Sequence, residues 1–278
     1  MLSTYPKQAE YVARAAGKIG ATFEDLDNGH GYLFRVSRAG RAFVSGCGDI
    51  CTYPVNTATA YSIARDKAHT KRLLAGAGLS VIPGALFFCR DKFAALQPCG
   101  HQRADALDYA EKLGFPVFCK PNKGGRGDYA EIISSLRFLD DYMDRLAREQ
   151  DGFLIEKLMV GDEYRILVKD DQVQFMAHRF PVFIEGDGIT PLKELLGKIN
   201  ARLKGRGVSL YPLETLHNAG CNPQEVPEKG QRIFLPGRQN VSAGGKVDTI
   251  SEAVPEELAS IARRAVQVIG LRIGAVDF

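Results

Sequence analysis

The run EYRILVKDDQVQFMAHRF, residues 163–180, restricts the fold more than any other stretch. It reads as two strands around a KDDQ turn, with β-branched and aromatic residues set among polar ones. A second pair, GYLFRVSRAGRAFVSG at 31–46, alternates around a glycine turn. Strands joined by so short a reversal pair antiparallel, whereas parallel neighbours need a crossover of about a dozen residues or more. Helical stretches are expected at 7–18, 58–78, 103–113, 135–149, 191–204 and 255–269, the second of them ended by Gly76 and Gly78. Further strands are expected at 79–88, 115–121, 152–159, 231–235 and 272–278. Strands and helices alternate without one long parallel pattern, so the expected fold class is α+β, layered in more than one lobe.

The 278 residues are 45% hydrophobic and 25% charged, ordinary proportions for a soluble globular protein. That length supports one large or roughly two to three small domains, with a core that needs no metal or disulfide staple. A net charge of +3 without a long Lys/Arg block is too mild to argue for nucleic acid. The N-terminal MLSTYPKQAEYVARAAG lacks an apolar signal core, and no stretch reaches the roughly 18 apolar residues of a membrane span. A cytoplasmic protein that does not engage membranes is expected. Cys47, Cys51, Cys89, Cys99, Cys119 and Cys221 include no CxxC pair and no zinc spacing, so reduced thiols are expected. His69, His101 and His217 have no partner at ligand spacing and are expected at the surface.

Three segments carry chemistry. In FPVFCKPNKGGRGDYA a buried strand delivers Lys120 to its end, and Gly124, Gly125 and Gly127 follow. Glycines let backbone N–H groups approach anionic oxygens closely, and lysine supplies a point charge for phosphate. The GxxxxGK[ST] loop is absent, and a tight turn beside a surface lysine is the alternative. In EKLMVGDEYRILV, a strand-to-loop connector flanked by Leu158 and Met159 offers backbone donors and acceptors to the edge of an adenine ring. Gly161 bends the chain, and Glu163 is placed to accept from ribose hydroxyls; a charged hairpin edge is the alternative. In ARDKAHTKRLL, Lys67 and Lys71 share one helix face four residues apart, either as a solvated face or around an anion.

Together and in this order, the segments resemble the ATP-grasp carboxylate–amine ligases, above all the ligase domains of cyanophycin synthetase and bifunctional glutathione synthetase. The matching pieces are ARDKAHTKRLLAGAGLSVIPG, FPVFCKPNKGGRGDYA, IEKLMVGDEYRILVKDDQV, HRFPVFIEGDGITPLKELL, NVSAGGKVDTISEAVPEE and AVQVIGLRIGAVDF. The resemblance implies an ATP-grasp fold, two lobes clamping ATP behind a small N-terminal domain. Its boundaries would fall at 1–75, 76–155 and 156–278. It implies that a carboxylate is phosphorylated by ATP to an acyl-phosphate, which an amine then attacks, with ADP and phosphate released. Carried over by motif, Lys67, Lys120, Gly124 and Gly125 would meet phosphates. Glu156, Lys157, Leu158 and Met159 would line the adenine, Glu163 would take the ribose, and Asp277 would hold Mg2+. Arg165, Arg179, Arg238 and Asn240 are the candidates beside the reacting centre, since a guanidinium suits an acyl-phosphate or a substrate carboxylate; the alternatives are an ion pair to a nearby carboxylate for Arg165 and an exposed loop position for Arg238. Amino acid or peptide substrates and a homo-oligomer are the family expectation.

Such ligases carry a further Glu-x-Asn on a strand after the one ending in VDF, and this sequence stops at Phe278. The expectation is a chain that continues. The competing readings are a nucleotide-binding module without ligase turnover, or an interaction domain with a decayed site; the presence of both Lys67 and Lys120 argues against decay.

Overall fold

The computed structural model describes residues 5–90, 99–125, 127–205, 210–235 and 245–278. Every paired strand in it is antiparallel, as the tight reversals predict.

The chain opens with helix α1 (Lys7–Lys18), strands β1 (Thr22–Asp25), β2 (Leu33–Arg38) and β3 (Arg41–Gly46), in the sheet order β1-β2-β3. Ala9 and Ala16 on α1 meet Phe34, Val36 and Cys47 in a small core. Helices α2 (Ala58–Arg65) and α3 (Lys67–Gly76) follow. One helix was expected over 58–78. Asp66 interrupts it in an extended conformation (φ −101°, ψ 104°), and its carboxylate accepts from the His69 N–H, capping α3. The break is held from outside the segment: Asn122 accepts through Oδ1 from the Ala68 N–H and through its carbonyl from the Lys67 N–H. Asp66→Ala should therefore cost about 1 kcal/mol, the usual worth of such a cap, read as a melting point lowered by about 2–4 °C. Asp66→Asn, which keeps the acceptor, should lose far less; equal losses in the two would remove the capping role.

The first large sheet holds β4 (Gly84–Phe88), β5 (Val117–Pro121), β6 (Glu131–Ile133) and β7 (Gly152–Lys157), ordered β4-β7-β5-β6. Side chains alternate across a strand, so Phe153 and Ile155 point one way while Leu154 and Glu156 point the other. The first face packs on α4 (Arg103–Leu113) and α5 (Leu136–Leu146). Leu139, Tyr142, Met143 and Leu146 of α5 recur at helical spacing and are buried there, and the Tyr142 hydroxyl donates to the Tyr129 carbonyl at 2.9 Å. Helix α5 starts one residue later and ends three earlier than expected, Ser135 capping it.

The second large sheet is ordered β12-β9-β8-β13, from β8 (Glu163–Lys169), β9 (Gln172–Phe180), β12 (Lys246–Ser251) and β13 (Ile273–Asp277). Ile166 and Val168 of β8 pack on Ala262 and Val266 of α8 (Glu256–Ile269), which ends at Gly270 in the left-handed region. A satellite formed by β10 (Phe183–Glu185), β11 (Arg232–Phe234), α6 (Leu192–Lys204) and α7 (Glu214–Asn218) has its own core around Leu192, Leu196, Leu216 and Leu235. The α+β class stands. The N-terminal unit is fastened to the second sheet by Asn56: its Oδ1 accepts from the Arg272 and Ile273 N–H groups, and its Nδ2 donates to the Ile273 carbonyl at 2.8 Å.

Candidate nucleotide site

On β7, Glu156 projects to the face of the first sheet away from its helices and is only 2% exposed. An unpaired carboxylate at that depth would be costly. Two lysines compensate it: Lys71 Nζ of α3 lies 2.5 Å from Oε1, and Lys120 Nζ of β5 lies 2.7 Å from Oε2. Gly84, paired with Glu156 across β4 and β7, makes room for this side chain. A Cβ on it would stand 2.7 Å from Glu156 Cγ and 2.5 Å from the Ile155 carbonyl oxygen.

Lys67, at the start of α3, donates to the carbonyls of Pro121, Asn122 and Gly124 at 2.9, 3.3 and 3.2 Å. The ammonium thus lies on the loop that follows Lys120. Gly124 and Gly127 take positive φ there, +94° and +80°, a conformation that favours glycine. Burial lowers the Lys67 pKa from 10.5 to about 8, and the Lys120 charge pushes the same way, while Glu156 and Asp66 oppose.

Residues 158–162 connect β7 to β8. Lys157, Met159 and Val160 are exposed and Leu158 is half-buried. On β8, Ile166 and Val168 face α8, so Glu163 and Arg165 face the other side. Register places Glu163 opposite Arg179 and Asp277 opposite Arg165. Arg179 Nη1 lies 2.7 Å from Glu163 and 3.5 Å from Asp277, and Arg165 Nε lies 3.2 Å from Asp277.

The structure thus brings the expected residues into two charged groups. One joins Lys67, Lys120 and Glu156 beside Gly124 and Gly125; the other joins Glu163, Arg165, Arg179 and Asp277. Glu156 faces lysines, where the sequence put it beside an adenine, because its strand position turns its side chain across the sheet. Arg238 and Asn240 lie outside the described residues, as does most of the second glycine loop. Lys71 was expected on a solvated face or around an anion with Lys67, and its partner is the Glu156 carboxylate; Gly84 was given no role from sequence. The four-residue spacing of Lys67 and Lys71 was the available signal for one of them, and nothing in the sequence marked the other.

His178 turns away from Arg179 and stacks on Tyr164, 4.5 Å between ring centroids, with Asp162 at 3.3 Å. His101 is half-buried, tied to the body of the lobe more closely than a plain surface residue: its Nδ1 lies 2.5 Å from the Leu86 carbonyl and its ring packs near Phe87. The six cysteines are free, and burial pushes the Cys89 thiol up to about 12, an inert setting. Among the described residues no helix is long and apolar enough to cross a membrane.

No family model matches the chain. A cyanophycin synthetase from Trichormus variabilis is 30% identical over 227 residues, which cover 77% of this chain and 24% of that protein. The glutathione biosynthesis bifunctional protein GshAB of Desulfotalea psychrophila is 27% identical over 96% of this chain and 34% of its own length. The chain therefore spans about a quarter to a third of the curated relatives it matches. The crystal structure of a bifunctional glutathione synthetase from Pasteurella multocida superposes with a TM-score of 0.55 at 21% identity, covering 97% of this chain and 37% of that one.

Proposed function

The chain belongs to the ATP-grasp family, and from that premise we propose that it is an ATP-dependent carboxylate–amine ligase, acting on amino acid or peptide substrates through an acyl-phosphate. The observation that carries the reading is the placement of two charged groups on the two sheets that the 158–162 connector joins. One is rich in ammonium groups beside a glycine loop; the other pairs two carboxylates with two guanidiniums.

On this reading Lys67 and Lys120 neutralise phosphates, and the N–H groups at Gly124 and Gly125 approach them closely. Leu158 and Met159 flank the base, with the backbone of 156–159 at its polar edge. Glu163 accepts from the ribose. Arg165 and Arg179 stabilise negative charge on the phosphate being transferred and on the carboxylate that receives it. The protein contributes positioning and charge neutralisation, and the covalent changes occur between substrate and ATP.

Mg2+ accompanies ATP in this family. Among the described residues no three metal-ligating side chains stand together. Asp277, half exposed and shared by two guanidiniums, offers one carboxylate. That fits an ion that keeps most of its ligands from phosphate and water; Asp277 would hold it, and when bound it supplies further neutralisation of the phosphates. The reading carries with it the boundaries at 75 and 155, a cytoplasmic location suited to free thiols, and a homo-oligomeric state open to sedimentation.

Phosphate release with ATP across a panel of carboxylate and amine pairs tests the proposal. Release that needs both partners supports a ligase. ATP binding without release under any pair would leave a nucleotide-binding module, and no binding at all would overturn the reading.

Lys67 gives a second expectation. Its folded pKa lies below the unfolded value, so its contribution to stability rises as pH climbs from about 8 to 10.5. A bound polyphosphate favours the ammonium and works in the opposite direction. ATP affinity should fall as pH rises through 8, and binding near pH 8.5 should take up part of a proton. Titration calorimetry in two buffers of different ionisation enthalpy measures this; equal enthalpies in both would remove Lys67 from the phosphate contact.

A further inference from the structure

Resting on the ligase reading, we propose that Lys71 is a positioning residue: by satisfying the buried Glu156 carboxylate, it leaves Lys120 free to engage the nucleotide. The geometry is specific. Each oxygen of Glu156 holds a different ammonium, Lys71 on Oε1 and Lys120 on Oε2, and the carboxylate is sealed from water.

Consider the site with Lys120 as the sole partner. A buried carboxylate without water depends entirely on its counter-ion, and removing one member of such a pair is strongly unfavourable. Lys120 would be fixed to Glu156, and any phosphate would compete with an anion that has nowhere else to turn. Lys71 changes this. It is less exposed than Lys120, 18% against 24% of the side chain, and it stays with Glu156 when Lys120 moves toward a phosphate. Lys67 is occupied separately, on three backbone carbonyls, and the Asp66 carboxylate is engaged by the cap of α3. Two ammonium groups, Lys71 and Lys120, thus share the single carboxylate of Glu156 while a third, Lys67, lies on the loop after Lys120, and the excess positive charge suits a polyphosphate.

The inference separates Lys71 from a general structural lysine by the sign of its coupling to Glu156. Four proteins are compared: wild type, Lys71→Met, Glu156→Gln and the double variant. Two quantities are read, ATP affinity by calorimetry and the rate at which Lys120 is acetylated by acetic anhydride at one fixed pH, followed by mass spectrometry. Lys71→Met should bind ATP about tenfold more weakly, the scale of one charge-assisted contact, and should acetylate more slowly at Lys120. Glu156→Gln should speed that acetylation. The double variant should return to within about threefold of wild type in affinity, because the carboxylate that trapped Lys120 is gone. Lys71→Arg should stay near wild type.

A structural lysine predicts the reverse, a double variant as weak as Lys71→Met or weaker, and that outcome overturns the proposal. So does an unchanged affinity in Lys71→Met. If Lys71→Met does not fold, Glu156→Gln alone decides: unaltered acetylation of Lys120 overturns the proposal. If wild type binds no ATP, the ligase reading fails, while the acetylation rates still judge whether Lys71 and Lys120 share Glu156.

Discussion

Lys120→Met should bind ATP about 10- to 100-fold more weakly than wild type, the loss expected for one hydrogen bond from a charged donor, about 1.5–3 kcal/mol. Methionine keeps the unbranched stem of the side chain and removes the charge. The substitution also leaves Glu156 with Lys71 alone, so a lower melting point is expected beside the affinity loss. Calorimetric titration well below that melting point separates the two effects. An affinity within twofold of wild type would place the phosphate contact elsewhere and take the central residue out of the proposed site.

Gly84→Ala should strike fold and site together. Its backbone φ is unremarkable, so strain is not the reason; proximity is. The added Cβ would meet the Ile155 carbonyl oxygen at 2.5 Å and the Glu156 Cα at 2.9 Å, both backbone atoms of the neighbouring strand. Neither yields without parting β4 from β7. Overpacking of this kind costs about 1–3 kcal/mol, a fall in melting point on the order of 3–10 °C for a chain of this size. Glu156 would shift with its strand, so ATP affinity should fall as well. A variant that melts with wild type would show that the sheet accommodates the methyl group, and the close approach would lose its significance.

Much of this architecture was legible because it is locally encoded. The hairpin at 163–180 declared itself by its KDDQ turn, and α1 and α4 occupy the expected residues, 7–18 and 103–113. Lys120 was placed at the end of a strand beside a glycine loop because one short segment holds the whole signal. The break at Asp66 was missed although Asp is a good cap, since apolar spacing continues through it; what enforces the break is Asn122, 54 residues beyond Ala68, the residue whose N–H donates to it. Strand β12 lay between a glycine loop and a helix and was not expected; it forms by pairing with β9. The Lys71–Glu156 contact spans 85 residues. Sequence could name both residues but could not show that one neutralises the other, because that depends on which way β7 turns its side chains. The group formed by Glu163, Arg165, Arg179 and Asp277 was listed residue by residue, yet its pairings follow from a register that only the folded sheet fixes.

The Asn56 clasp has a consequence for synthesis. Its partners, Arg272 and Ile273, come 216 and 217 residues later in the chain. At about 5–20 residues per second of translation, they are polymerised roughly 10–40 s after Asn56. Throughout that interval the nascent N-terminal unit has its own small core around Phe34 but no seat against the second sheet. The surface around Ile50, Tyr53 and Val55, each more than two-fifths exposed even in the finished fold, faces solvent before the docking partner exists. Nascent-chain stability in this protein is therefore set by a unit that must fold early and dock late, and a chaperone that engages it should release it once β13 has left the ribosome.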